Sequence, residues 1–449
     1  MKTVSGATQL LLFDGPNGNA QILFDDPAFA SNKNAPVHRW VPWIAGFSRE
    51  FVQSAIGQYL HQRGTVLDPF AGVGTTLVEA ALAGHNVIGF EINPYAAFAC
   101  RTKLTAYQLG VDVVEEGMRR FRQFYEDAMR GSYTPQSAPP PGFKTRSAFY
   151  SRKVLQKVLT VQDFIASQQE NALLDVFRLA FASTMVTYSN YSYEPSLTRR
   201  AAVGRDDIDD FPVGEVIVAK LREMARDIQW ISERLKGSEI TPQVFTESFF
   251  ESWKKLPASS IDLLITSPPY LNNYHYNRNT RPHLYWLGLV QGTSDLKRLE
   301  EQNFGKFWQT VRERACVDLD FRADKEIIEC VQTLRAKTPE KGIYGGNGWA
   351  NYAASYFNDC YRFAQAAQYA LKRGGTALVV IGNSILQGEM IPTDKYLAKI
   401  AETVGLELVN IHIPRNARVG SSIIQSDVRV VKAKKSDTLY EAVVELRKR

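Results

Sequence analysis

"TVLDPFAGVGTTLVEAALAGHNVIGFEINPYA", residues 65–96, decides how the chain is organised. A short apolar strand ends at Asp68, a glycine-bearing bend follows, an amphipathic helix starts at about Thr75, and a second apolar strand ends at Glu91. Strand, turn, helix and strand at this spacing form one half of a doubly wound sheet, so the fold class is α/β. Gly72 and Gly74 let a ligand approach the backbone closely, Asp68 supplies a carboxylate, and Glu91 at a strand tip is placed to accept ribose hydroxyls. The spacing differs from the GxGxxG of a dinucleotide site and no Gly-Lys-Ser/Thr follows, so the cradle has no phosphate clamp. A ligand with ribose and adenine but no pyrophosphate fits it, and S-adenosyl-L-methionine answers that description.

A second turn lies far downstream. "ITSPPYLNNYHY", residues 265–276, directly follows the apolar run Ile261–Ile265, which reads as a buried strand. Two consecutive prolines donate no ladder hydrogen bonds, so a rigid turn tipped with an aromatic ring stands at a strand end. As a lone feature, a proline turn that only ends a strand would account for it. Its company with the glycine loop makes it a candidate site.

The global numbers fit a globular chain of 449 residues with 45% hydrophobic and 22% charged residues. Cys100, Cys316, Cys330 and Cys360 have no CxxC spacing. His38, His61, His85, His275, His283 and His412 are scattered without HExxH company, so no metal site is expected. With no apolar run near the ~20 residues that cross a bilayer and no signal segment, the expectation is a reduced cytoplasmic protein without a membrane span.

The net charge of +6 is a mild basic excess whose distribution says more than its sum. From Ala128 to Gln162 there is no Asp or Glu, while Arg130, Lys144, Arg146, Arg152, Lys153 and Lys157 alternate with Tyr133, Phe143, Phe149 and Tyr150. That composition suits phosphate contact and base stacking; a solvated linker around Pro139-Pro140-Pro141-Gly142 is the other reading. Arg199 and Arg200 in "SLTRRAAVGR" are a further candidate DNA contact.

"DPFAGVGTT", "GFEINP" and "TSPPY", in this order, resemble the S-adenosylmethionine-dependent DNA methyltransferases that modify an exocyclic amine, and the SPPY turn resembles their cytosine-N4 branch. "HRWVPWIAGFSREFVQSAIGQYL" resembles the segment that covers the methionine end of the cofactor, and "YFNDCYRFAQAAQYALKRGGTALVVIGNS" resembles part of the catalytic half. The likeness spans roughly residues 36–435. It implies a seven-stranded Rossmann-like sheet and a cofactor site of Phe47, Asp68, Phe70, Gly72, Gly74, Thr75, Thr76, Glu91, Ile92 and Ser248. It also implies a catalytic turn of Ser267, Pro268, Pro269 and Tyr270, while Lys144, Arg146, Arg152, Lys153, Arg199 and Arg200 are expected as DNA contacts from their charge. One departure concerns adenine: where relatives often place an Asp, this chain has "VFTESFFESW", so Glu247 or Ser248 would serve.

The turn's chemistry follows from its target. An aromatic amine is a poor nucleophile because its lone pair is delocalised, so the site must hold it in line with a sulfonium methyl and favour a more tetrahedral nitrogen. Ser267 and the Pro268 carbonyl can accept the two amine protons, Pro269 stiffens the turn, and Tyr270 can stack on the base. Such an amine lies inside duplex DNA, so the base must be flipped out.

Strands are expected at about 65–68, 87–91, 242–246, 261–266, 375–382, 406–413 and 427–433, the last two as a closing pair. The expected division is an N-terminal extension (1–35), a cofactor half (36–104), a helical insert for target recognition (105–240), a catalytic half (241–270 and 351–435), a second insert as lid or DNA contact (271–350) and a tail (436–449). The leading reading is a cytosine-N4 DNA methyltransferase acting on double-stranded DNA, with a cognate restriction endonuclease or defence-system subunits as partners. An adenine-N6 enzyme, an RNA or protein amine methyltransferase and a silent DNA-binding relative are the alternatives.

Overall fold

The computed structural model describes residues 29–43, 46–169, 171–193, 196–271, 276–306, 308–418 and 438–449. Its centre is a seven-stranded sheet of β1 (Thr65–Asp68), β2 (Asn86–Phe90), β3 (Pro242–Phe245), β4 (Ile261–Thr266), β5 (Leu371–Gly382), β6 (Leu406–Arg418) and β7 (Thr438–Lys448). Their spatial order is β6-β7-β5-β4-β1-β2-β3. The five from β5 to β3 run parallel, and β7 lies antiparallel between β5 and β6. The chain winds outward from β1 to β2 and β3 on one side and from β4 to β5 on the other. The crevice between β1 and β4 is therefore the switch point where ligands bind in such sheets.

Both faces of the sheet are covered, which explains strands that read as continuous apolar runs. Val66, Leu263, Ile265, Leu378 and Val380 point into one hydrophobic core, and Leu67, Leu264, Val379 and Ile381 into the other, alternating with the pleat. The first core is closed by α1 (Arg49–Tyr59), α2 (Thr75–Leu82) and α3 (Pro94–Thr105), and the second by long helices that include Gly346–Ala370 and Thr393–Thr403.

The first insert is helical as expected, with α4 (Val111–Arg130), α5 (Arg152–Ala166), α6 (Ala172–Thr184) and α7 (Val213–Leu235). It does not hang from the sheet. Asp227 on α7, 1% exposed, accepts from the Val37 N–H at 2.9 Å, the Trp40 indole at 2.9 Å and Arg39 Nε at 3.0 Å. A buried carboxylate needs such donors. They fix the insert to the segment ahead of β1. The second insert begins with α8 (Tyr276–Trp286). Asn279 on α8 binds a short hairpin of the first insert, accepting from the Leu197 N–H at 3.0 Å and, through its carbonyl, from the Tyr193 hydroxyl at 3.1 Å.

One boundary needs correction. The expected strand at 427–433 lies outside the described residues, and the stretch set aside as a tail, 436–449, instead supplies β7. Its "LYEAVVELRK" alternates less cleanly than a one-sided strand because β7 is flanked on both edges and buried on both faces, with Val443 facing one core and Val444 and Leu446 the other.

Candidate active site

The glycine loop between β1 and α2 is set by its backbone. Gly72 has φ +51° and Gly74 φ +87°, the left-handed region that favours glycine. A Cβ on Gly74 would lie 2.5 Å from Cys100 Sγ, so this residue brings the loop down onto α3. A Cβ on Gly72 would meet only the Trp43 indole, at 3.6 Å from Nε1, so Gly72 faces the crevice with Trp43 beside it. From below, the buried Lys103 donates to the Val73 carbonyl at 3.0 Å, and burial pushes its ammonium down to about 8.

Two carboxylates stand at this loop. Glu91, just past β2, accepts from the Gly72 N–H at 2.8 Å and the Asn93 N–H at 2.7 Å. Asp68, 2% exposed at the end of β1, accepts from the Phe70 N–H at 3.1 Å and the Thr266 hydroxyl at 2.6 Å. Burial pushes Asp68 up to about 6 and Glu91 to about 7, the latter also raised by the charge of Asp68. Acids enclosed in this way suit hydroxyl or cationic donors and repel phosphate.

The Asp68–Thr266 bond joins the two halves of the site, because Thr266 ends β4 and Ser267 begins the turn. Ser267, Pro269 and Tyr270 are half-buried and Pro268 is buried. The turn is held from outside: Tyr356 donates to the Pro269 carbonyl at 3.0 Å, Tyr352 donates to the Leu271 carbonyl, and Tyr270 donates to Glu441 on β7 at 3.0 Å.

Of the other residues expected at the cofactor, Thr75 and Thr76 open α2 and are buried, with Thr75 Oγ1 accepting from Asn32 at 3.4 Å. Ile92 is half-buried beside Glu91. Phe70 lies in an aromatic group, its ring centre 5.2 Å from Phe304 and 6.5 Å from Phe249, the residue after Ser248. Ser248 is buried and its hydroxyl is directed to the Gln302 carbonyl at 3.5 Å, while Glu247 turns to an ion pair with Lys255. Phe47 lies in the segment ahead of β1. It is 5% exposed and packs edge-on against Phe51 in the core, and Trp43, four residues earlier, is the aromatic side chain of that segment beside the loop.

The acid-free stretch gains partners from elsewhere in the chain. It is acid-free in sequence but not in space: Lys153 pairs with Asp209 at 2.7 Å and Lys157 with Asp210. Phe149 and Tyr150 are core residues, Phe143 packs on Phe149 and Tyr285, and the Tyr133 hydroxyl donates to Asp163 at 2.8 Å, so these rings are spent on packing rather than held out for bases. Lys144, Arg146 and Arg152 are exposed. Arg199 is half-buried on the hairpin, and Arg200 Nε donates to the Asp206 carbonyl at 2.8 Å. Among the described residues there is no cluster of His, Cys, Asp and Glu fit to hold a metal ion, and no helix long and apolar enough to cross a membrane.

Sequence reading missed Trp43, Tyr352, Tyr356 and Glu441. Trp43 and Tyr356 lie inside the quoted motif segments and Tyr352 four residues ahead of one, so their neighbourhood was marked if not their roles. Glu441 carried no local signal.

The chain is similar in sequence to known proteins. A family model described as DNA methylase matches residues 23–99. The type II methyltransferase M.BsoBI of Geobacillus stearothermophilus is 24% identical over 459 aligned residues, covering 92% of this chain and 87% of its own. M.AvaI of Anabaena variabilis is 24% identical over 422 residues, covering 88% and 84%, and M.MvaI of Kocuria varians is 24% identical over 276 residues, covering 58% and 59%. With its glycine loop and its SPPY turn at adjacent strand ends of a doubly wound sheet, the chain resembles the DNA methylases and type II methyltransferases to which it is similar.

Proposed function

We propose that this protein is a site-specific DNA methyltransferase that moves a methyl group from S-adenosyl-L-methionine to the N4 amine of a cytosine flipped out of duplex DNA. The observation that carries the reading is the 2.6 Å bond between Asp68 and Thr266, which fixes the end of the glycine loop's strand to the start of the Ser267–Tyr270 turn. A methyl donor on one and an amine on the other would be neighbours.

The residues present fit the cofactor. Gly72 leaves room at the crevice, Glu91 offers a carboxylate to ribose hydroxyls, and the enclosed acids Asp68 and Glu91 favour a cationic ligand over a phosphate. When bound, S-adenosyl-L-methionine would supply a methyl group on a positively charged sulfur, with the neutral thioether as the leaving group. Ser267 Oγ and the Pro268 carbonyl accept from the amine, biasing its nitrogen towards tetrahedral geometry, and the surplus proton leaves to water, since a serine is a weak base. Tyr270 stacks on the extruded base, which costs a few kcal/mol to unpair.

The choice of cytosine rests on the serine ahead of the two prolines, which resembles the cytosine-N4 branch. The names of the relatives, type II methyltransferases, support a restriction–modification setting, in which a cognate endonuclease would be the partner. Incubation with radiolabelled S-adenosyl-L-methionine and either duplex DNA or structured RNA tests the substrate class. Label in DNA is expected; label in RNA alone would reject the reading.

A further inference from the structure

The geometry points to Glu441 as a positioning residue for the reaction: its carboxylate fixes the rotation of the Tyr270 ring and so sets the surface on which the flipped base stacks. This rests on the proposed role of Tyr270 and goes beyond it, because it assigns a function to a strand far from any motif.

Three observations converge. The Tyr270 hydroxyl donates to Glu441 Oε1 at 3.0 Å, a bond to an acidic acceptor across 171 positions of sequence. Glu441 stands directly opposite Gly382 in the pairing of β7 with β5. A Cβ on Gly382 would lie 3.0 Å from Cδ2 and Cε2 of Tyr270, so the ring rests against bare backbone at the end of β5. The ring is therefore seated on Gly382 and tethered at its hydroxyl by the residue opposite. The stem is held as well, because Tyr356 binds the Pro269 carbonyl at 3.0 Å. A tyrosine has two side-chain torsions; the seat and the tether together leave it one orientation. An aromatic platform fixed in advance spares the ordering cost when the base arrives. A carboxylate acceptor also makes the bond stronger than a neutral one would.

The test combines two readouts. With 3-fluorotyrosine placed at position 270, the ¹⁹F resonance of the wild type is expected as one sharp line. It should shift and broaden in Glu441→Ala and return close to the wild-type position in Glu441→Gln, whose amide oxygen still accepts. In methyl transfer to a duplex bearing the site found by modification-sensitive sequencing, Glu441→Ala should lower kcat roughly tenfold, the effect of one hydrogen bond to a charged group. The KM for S-adenosyl-L-methionine should stay within about twofold, since this brace does not touch the glycine loop. In a Tyr270→Phe background, Glu441→Ala should add no further loss.

An unchanged ¹⁹F line in Glu441→Ala overturns the inference. Equal losses in the wild-type and Tyr270→Phe backgrounds also overturn it, since Glu441 would then act through another group. A freed ring with full kcat refutes instead the stacking role given to Tyr270, and with it this part of the proposed mechanism.

Discussion

The glycine loop and the SPPY turn do the same structural job, each ending a parallel strand at the crevice, but they are held in opposite ways. Most of the loop's supports come from nearby in sequence: Glu91 takes the Gly72 N–H from 19 positions away, and Lys103 donates to Val73 from 30 positions away. The turn is braced by residues 81, 87 and 171 positions away, namely Tyr352, Tyr356 and Glu441. A loop supported within its own βαβ unit can keep its shape while the rest of the chain changes. A turn supported from afar has its geometry set by the assembled catalytic half. The single bond between Asp68 and Thr266, spanning 198 positions, ties the two together.

This contrast predicts separable defects. The largest belong to the turn's own atoms: Ser267→Ala and Tyr270→Ala should each lower methyl transfer on the order of 100-fold, while the affinity for S-adenosyl-L-methionine measured by calorimetry stays near wild type. A parallel loss of cofactor affinity would mean that loop and turn are not independent supports.

Next comes the loop. Gly72→Trp fills the crevice side of the cradle and should abolish cofactor binding, and Glu91→Ala should weaken it roughly tenfold to 100-fold. The pH dependence sharpens this. Burial raises Glu91 from the ordinary 4.5 to about 7. The folded chain thus holds its proton more tightly than the unfolded one, which favours folding at low pH, and that contribution is gone above about 7. Binding runs the other way. Ribose hydroxyls prefer the ionised acceptor, so affinity should rise with pH up to about 7 and then level off, whereas a flat titration between pH 5.5 and 8 would remove Glu91 from the site.

A smaller effect tests the remote bracing. Tyr356→Phe deletes one bond to the Pro269 carbonyl, worth about 1 kcal/mol, and should cost about fivefold in kcat with cofactor affinity untouched. Wild-type kcat in this variant would show that the turn is rigid without its distant partner.

The smallest expected effect concerns the basic stretch. Removing Lys144, Arg146, Arg152 and Lys153 together should flatten the salt dependence of DNA binding by about 0.9 in logarithmic slope for each true phosphate contact. Because Lys153 already pairs with Asp209, its share should be less than that of the exposed Lys144, Arg146 and Arg152. An unchanged slope would return residues 128–162 to a structural role.

The same contrast explains what could be read in the sequence. The β1–α2–β2 unit was legible almost to the residue because its signals are local: apolar runs, a helix beginning at Thr75, and an acid one residue past β2. Strand β4 and its turn were legible for the same reason. The strand expected at 427–433 lies outside the described residues, and "LYEAVVELRK", set aside as a tail, showed its place only through its pairing with β5 and β6. Phe47 was expected at the cofactor by likeness; its packing against Phe51 and the place of Trp43 beside Gly72 carry no local signal. That Asp209 and Asp210, some fifty positions away, stand beside Lys153 and Lys157 could not be read from the acid-free stretch alone.

The central claim is that the two turns form one site for methylating a cytosine amine in DNA. Mass spectrometry of nucleosides from DNA treated with the protein and S-adenosyl-L-methionine tests it directly. The account predicts N4-methylcytosine that disappears with Ser267→Ala, and a product containing only N6-methyladenine, or product undiminished by that substitution, would contradict it.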